Sequence, residues 1–262
     1  MTICIAAVAT NRSKECIVFA TDHMVTTNVG SFEHNIAKHA KIKDDIVAML
    51  AGNPLIFDEL ISVDKKASFE EIAGQIHENF LKVRTETIRR QLLRPHNLEL
   101  SVIHQMLEKP IQNPIQQALL KSIFEFNLGT VLLLIGLENG KAKIMELGEG
   151  AINNMRRIHF HAIGSGSNQA LNTLLFQRHH EAESLNSAIY NVFKAKRNAE
   201  VMPGVGNETE LLVLHEGGVK KIGSNEIKAL DHIHEEELKY GKSQETLLKL
   251  DFLSQGQKRL RQ

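Results

Sequence analysis

Thr2 carries a hydroxyl and follows Met1 directly. A methionine ahead of a small residue such as threonine is normally trimmed, which would make Thr2 the mature N-terminus. A terminal threonine holds an oxygen nucleophile and a base in one residue. Its α-amine titrates at about 7.7–8.0, so near neutrality part of it is free base and can take the hydroxyl proton, directly or through water. Many chains begin Met-Thr, so the pair gains meaning from its company. Asp22 closes the second apolar run, Lys38 lies a little ahead of the third, and Gly52 follows the fourth at the break Gly52-Asn53-Pro54. A cation held by a carboxylate favours an alkoxide, and a glycine N–H just past a strand is an unencumbered donor to an oxyanion. The chemistry this set points to is acyl transfer through an ester on the threonine oxygen.

Such a constellation needs a scaffold. Ile3 to Val8 and Ile17 to Ala20 have strand length and many β-branched residues, and the polar turn at 11–14 makes them a hairpin. Lys41 to Lys43 and Ile46 to Ala51 form a second pair around Asp44-Asp45. From 55 to 126 the pattern turns helical. Ser68 and Glu71 form a capping box ahead of the stripe Ile72, Ile76, Phe80 and Val83, and Pro95 sets the latest end of that helix. Lys82, Arg84, Arg89, Arg90 and Arg94 read as its solvated face. Further helices are expected over 98–107 and 115–124. Strands return at 130–137 and 141–147 around Asn139-Gly140, a dipeptide suited to a type I′ turn. A strand at 159–163 runs into Gly164-Ser165-Gly166-Ser167, two helices follow, and a last hairpin turns at Gly217-Gly218. Segregated strands and helices predict an α+β fold, a four-layer αββα sandwich of two antiparallel sheets flanked by helices. One domain is expected over 1–223, with an enlarged helical region at 55–126, and a polar extension over 224–262 with one helix near 245–250.

Composition narrows the function. Lys+Arg and Asp+Glu are both 31, so the basic excess of a nucleic-acid binder is missing. No apolar run reaches the ~18 residues of a membrane span, and Met1 to Ile5 lacks the basic start of a secretory signal. Two cysteines make no disulfide framework, so the expected compartment is the cytoplasm. Cys4 and Cys16 are expected to face each other across the first hairpin as reduced, buried thiols. With no Trp and few aromatics, the core must be aliphatic.

The order and spacing of these residues resemble those of proteasome β-subunits, within the N-terminal nucleophile hydrolase superfamily. The resemblance rests on Asp22-His23-Met24-Val25-Thr26, on the gapless stretch from Lys38 to Ala51-Gly52, and on Ala162-Ile163-Gly164-Ser165-Gly166-Ser167. It covers most of residues 2–222. It implies that Thr2 is the nucleophile and its amine the base. Asp22 and Lys38 match the pair that orients and acidifies the nucleophile, Gly52 the oxyanion donor, and Ser165 a serine close to the terminal amine. Thr26 matches a residue that pairs with substrate backbone. Lys41 rivals Lys38, but only Lys38 keeps the register. The matching substrate pocket is lined from Val25, Ile36, Ala40 and Leu50, all apolar, which implies an apolar residue on the acyl side of the cut. The first hairpin is about four residues longer than the family's pattern. An Asp and a Ser that complete the family's site match Glu200 and Pro203 here, so Glu200 could keep the charge while the hydroxyl is lost.

The implied activity is that of a threonine-type peptidase acting on peptides or proteins, with no metal and no organic cofactor. The implied partner is a copy of the chain, as a ring or another homo-oligomer, with no nucleic acid and no membrane. Two rivals share the scaffold: a transpeptidase or protein ligase like the archaeal connectases, and a non-catalytic assembly subunit. Among the thirteen histidines, His232 and His234 could ligate a metal if they lie on a strand. His179-His180, His159 and His161 read as surface and strand residues. Gly164-Ser165-Gly166-Ser167 lacks the Gly-Lys ending of a phosphate-binding loop.

Overall fold

The computed structural model describes residues 2–27, 30–34, 36–107 and 113–247. Of 25–27, 30–33, 104, 106 and 241–247 it describes the backbone alone. Six strands come first: β1 (Ile3–Asn11), β2 (Lys14–Thr21), β3 (Met24–Thr27), β4 (Gly30–Glu33), β5 (His39–Lys43) and β6 (Ile46–Ala51). Four helices follow, α1 (Phe57–Leu60), α2 (Phe69–Ile88), α3 (Leu100–Leu107) and α4 (Pro114–Phe124). Then come β7 (Val131–Glu138), β8 (Lys141–Leu147), β9 (Ile152–Asn154), β10 (Phe160–Gly164), α5 (Ser167–Phe176), α6 (Leu185–Ala199), β11 (Glu210–His215) and β12 (Gly218–Lys221). Met1–Lys221 is one compact unit and Ile222–Gln262 a second.

The first unit is α+β with two five-stranded sheets, β10-β1-β2-β11-β12 and β5-β6-β7-β8-β9. Every pairing in them is antiparallel. Strand alternation explains how they stack. Cys4, Ala6, Val8, Ile17, Phe19, Leu212 and Leu214 of the first sheet pack against Val47, Met49, Leu133, Ile135 and Ile144 of the second. The other face of the second sheet, with Ile46, Ala48, Leu50, Leu132 and Leu134, is covered by Leu60, Phe69, Ile72, Ile76 and Phe80 of α1 and α2. The outer face of the first sheet meets α5 and α6. Central strands are thus covered on both sides, which is why β1, β2, β6 and β7 read as nearly unbroken apolar runs.

Two turns follow from local chemistry. Arg12 and Ser13 take φ of 48° and 68°, and Asn139 and Gly140 take 52° and 73°, the paired positive φ of a type I′ hairpin. Helix α2 opens on the Ser68–Glu71 capping box, in which Glu71 Oε2 accepts the Ser68 N–H at 2.8 Å. It ends at Ile88 and relaxes through a π-turn, Arg89–Leu93, into a short turn holding Pro95. Ile88, Leu93, Ile103 and Leu120 form a small satellite core under α3 and α4.

The structure corrects several expectations. Arg84 is not a solvated charge: it pairs with Glu149 at 3.0 Å and donates to the Ile123 and Phe126 carbonyls, tying α2 to the end of α4. Cys4 stands opposite Thr21 and Cys16 opposite Ala9, so the two thiols lie at different ends of the hairpin, both free and buried. His179 is buried, with Nε2 on the Val8 carbonyl at 2.8 Å. The stretch after Gly223 is a helix, α7 (Ser224–Leu247), far longer than expected. On a helix His232 and His234 sit about 200° apart around the axis and cannot share a metal as neighbours on a strand would. Strands β3, β4 and β9 were not anticipated; at four, four and three residues they are too short for an alternation to register. Among the described residues, no helix is long and apolar enough to cross a membrane.

Candidate active site

Thr2 stands at the mouth of β1, between β2 and β10. Asp22 immediately follows β2, and Lys38 immediately precedes β5. The turn of the chain between the two sheets therefore brings both to the start of β1. Thr2 Oγ donates to Asp22 Oδ1 at 2.5 Å, Lys38 Nζ donates to Thr2 Oγ, and Lys38 Nζ reaches the same Asp22 oxygen at 2.6 Å. The three polar atoms contact one another in a closed triangle. Thr2 is 3% exposed and Asp22 is fully buried.

Asp22 is held at both oxygens. Oδ1 also accepts the Ile3 N–H at 3.1 Å, while Oδ2 accepts the Gly206 N–H at 2.8 Å and the Met24 N–H at 3.3 Å. Burial by itself would raise its carboxyl, but the Lys38 charge and hydrogen bonds from Lys38, Thr2 and Gly206 outweigh that and hold it below the usual carboxylate range. Asp22 is thus a weak base and a strong anchor. Lys41, the rival cation, points elsewhere: it is exposed and pairs with Asp44 at 2.5 Å.

Two glycines allow the close approaches. Gly164 pairs with Ile3 at φ 101°, and a Cβ there would lie 2.2 Å from the Thr2 carbonyl oxygen. Gly52 has φ 131°, and its Cβ would meet the Gly129 carbonyl oxygen at 2.5 Å. Next to Gly164, Ser165 Oγ donates to the Thr2 carbonyl at 3.3 Å and steadies the backbone of that residue.

A cavity of about 220 Å³ opens beside Thr2 and Lys38, with Gly52 in its wall. Ile36 and Leu50 line it. Ala40 does not; it packs on the core between the second sheet and α2. Met24, Ala37, Pro54 and Phe57 supply the remaining apolar wall, and Asp58 adds one carboxylate to the lining. The Val25 and Thr26 side chains lie outside the described residues; the Thr26 backbone is opposite Ser31 in the β3–β4 ribbon.

Glu200 does not reach Thr2. Its Oε1 accepts from Lys196 at 2.6 Å and Arg197 at 2.8 Å. Lys196 itself is fully buried, and its other protons go to the Gly206 and Asn207 carbonyls, both at 2.8 Å. It clamps the loop whose Gly206 N–H holds Asp22. Burial lowers its pKa more than Glu200 restores it. Sequence reading missed both Lys196 and Gly206. A signal existed for the first: Lys196 falls four residues after Val192, on the apolar stripe of α6, where a charge must find partners.

Cys4 lies under the site, its Sγ on the Leu50 carbonyl at 3.4 Å, and burial pushes the thiol well above its ordinary range, so it is no rival nucleophile. Among the described residues, no three His, Cys, Asp or Glu side chains converge as metal ligands. Compared with known proteins, the chain matches no family model and no curated sequence at a significant level.

Proposed function

We propose that the chain is a threonine-type peptidase with the four-layer αββα fold of the N-terminal nucleophile hydrolases, similar to a proteasome β-subunit, and that removal of Met1 arms Thr2. The observation that carries this reading is the triangle of Thr2 Oγ, Asp22 Oδ1 and Lys38 Nζ beside an apolar cavity.

The steps follow from the parts. The freed α-amine of Thr2 takes the hydroxyl proton, and Oγ adds to the substrate carbonyl carbon. The Lys38 ammonium favours the developing alkoxide, and Asp22, too weak a base to compete, fixes both. The oxyanion faces the Gly52 N–H. As the carbon–nitrogen bond breaks, the α-ammonium returns its proton to the departing amine. Water then adds to the ester with the amine again as base, and Oγ recovers its proton as the acid leaves.

The test uses an epoxyketone, which needs both the amine and the hydroxyl of a terminal threonine, read by intact mass. One adduct on a chain lacking Met1, absent in Thr2→Ala, is expected. Retained Met1 with no adduct overturns the proposal and favours a non-catalytic subunit. Adding a peptide with and without an amine acceptor then separates hydrolysis from peptide transfer. With Met24, Ile36, Leu50 and Phe57 in the cavity wall, reporter peptides with Leu on the acyl side should be cut faster than those with Glu or Arg. Faster cleavage of the Arg peptide would instead give Asp58 control of selectivity.

A further inference from the structure

A second cavity, of about 630 Å³, lies at the other end of β1. Val8 is in its wall, six residues from Thr2, hence about 20 Å away along the strand. Its charged lining comes from several segments. Glu15 lies on β2, Lys141 starts β8, Arg156, Arg157 and His159 belong to the turn between β9 and β10, and Glu181 to the α5–α6 connection.

The carboxylates in this cavity are already engaged. Glu15 accepts from Lys141 Nζ at 2.6 Å and from the Ala142 N–H at 2.7 Å. Glu181 Oε2 lies 3.4 Å from His159 Nδ1. The guanidiniums are not: among the described residues, neither Arg156 nor Arg157 makes a side-chain hydrogen bond or ion pair. Three fixed cations face two carboxylates, a surplus of one positive charge, and the Arg156 charge also acts on Glu15 without a hydrogen bond to it. Their turn is also rigidly held. The Met155 N–H bonds the Ile144 carbonyl of the second sheet, and the His159 carbonyl accepts the Val8 N–H of the first, at 2.9 and 2.8 Å. The Arg156 N–H is fixed on Asn154 Oδ1 at 2.9 Å. Between these ties His159 takes φ 64°, a left-handed conformation uncommon outside glycine. Two adjacent guanidiniums, each a planar fork suited to phosphate or carboxylate, are thus carried by a backbone pinned to both sheets beside a cavity of small-molecule size.

We infer that this cavity binds a small polyanion bearing phosphate or carboxylate groups, with Arg156 and Arg157 as its recognition residues. The site is independent of the Thr2 chemistry, and its test does not use that activity. Isothermal titration of the full chain at low salt would compare inorganic pyrophosphate, citrate and an oligoglutamate peptide. Saturable binding of pyrophosphate or citrate, one per chain, is expected, and whichever binds tells phosphate from carboxylate. Replacing both arginines by alanine should weaken it by roughly tenfold or more, since both charge-assisted hydrogen-bonding forks are lost. The Arg156→Lys/Arg157→Lys variant should recover only part of the loss, because lysine lacks the fork. Glu181→Gln, which removes a competing carboxylate, should tighten binding. Both arginines are exposed, so circular dichroism should be unchanged by either replacement. The inference fails if neither small anion saturates, if the double alanine variant binds as well as the parent, or if the oligoglutamate alone binds.

Discussion

Three side chains share one oxygen-centred contact at the start of β1, and they do not have equal duties. Lys38 touches the Thr2 oxygen directly, so Lys38→Ala should slow epoxyketone labelling of Thr2 by about 10²–10³-fold, the range seen when a donor that stabilises developing charge is lost. Thermal stability should fall as well, because Lys38 is only 11% exposed and its loss leaves the buried Asp22 carboxylate without its cation. Lys196 bonds instead to Glu200 and the loop at 206–207. It is sealed in protein, and removing it takes the side-chain donor from the Gly206 carbonyl, while Arg197 still reaches Glu200 and the Asn207 carbonyl. Lys196→Met should cost about 1–3 kcal/mol in denaturant unfolding, the range for a buried carbonyl that loses its donor. Equal stability of Lys196→Met and the parent would show that the loop at 204–207 needs no clamp.

Short segments decide whether these side chains meet. Gly164 lets β10 lie against the Thr2 carbonyl, so Gly164→Ala should lower the melting temperature and also weaken labelling, through displacement of Thr2. Ser68→Ala, by contrast, should cost about 1 kcal/mol in urea unfolding with labelling intact, because the capping box starts α2 on the far side of the second sheet. These elements also show what the sequence reveals. The hairpins at Arg12-Ser13 and Asn139-Gly140, the capped helix α2 and the two apolar strands flanking each turn were readable because turn chemistry and burial period agree there. Thr2 and Asp22 abut such elements, whereas Lys38 could be preferred to Lys41 only through the register of the resemblance. Phe57, Asp58 and Met24 could not, since nothing local marks which residues of a loop or a four-residue helix face a cavity. Ala40 meets the same ambiguity: its apolar side chain suits a pocket and a core equally well, and it packs on the core. The Gly206 N–H is a backbone atom and leaves no trace in residue types.

The two sheets are stitched as well as packed. Glu210 on β11 lies 3.4 Å from the ring of His39 on β5, and also accepts from Lys221 at 2.7 Å. Interaction with His39, then with Lys221, overcomes burial and brings its carboxyl down to about 2. The unfolded value is about 4.3, so this stabilisation is present above that pH and is lost as pH falls toward 2. Glu210→Gln should therefore reduce stability at pH 7 by about 1–3 kcal/mol and leave it unchanged at pH 2, as urea midpoints at the two pH values would show. Glu15 with Lys141, and His161 with Glu146 at 2.5 Å, cross between the same sheets, so acid should loosen the sandwich before it melts the strands.

Gly206 is the last residue to join the contacts around Asp22. A ribosome has to deliver most of the polypeptide before that amide can exist, and β10, which shelters the threonine backbone, is also made late. A nascent or truncated product that stops short of Gly206 would carry Thr2 beside an Asp22 that lacks one of its backbone hydrogen bonds.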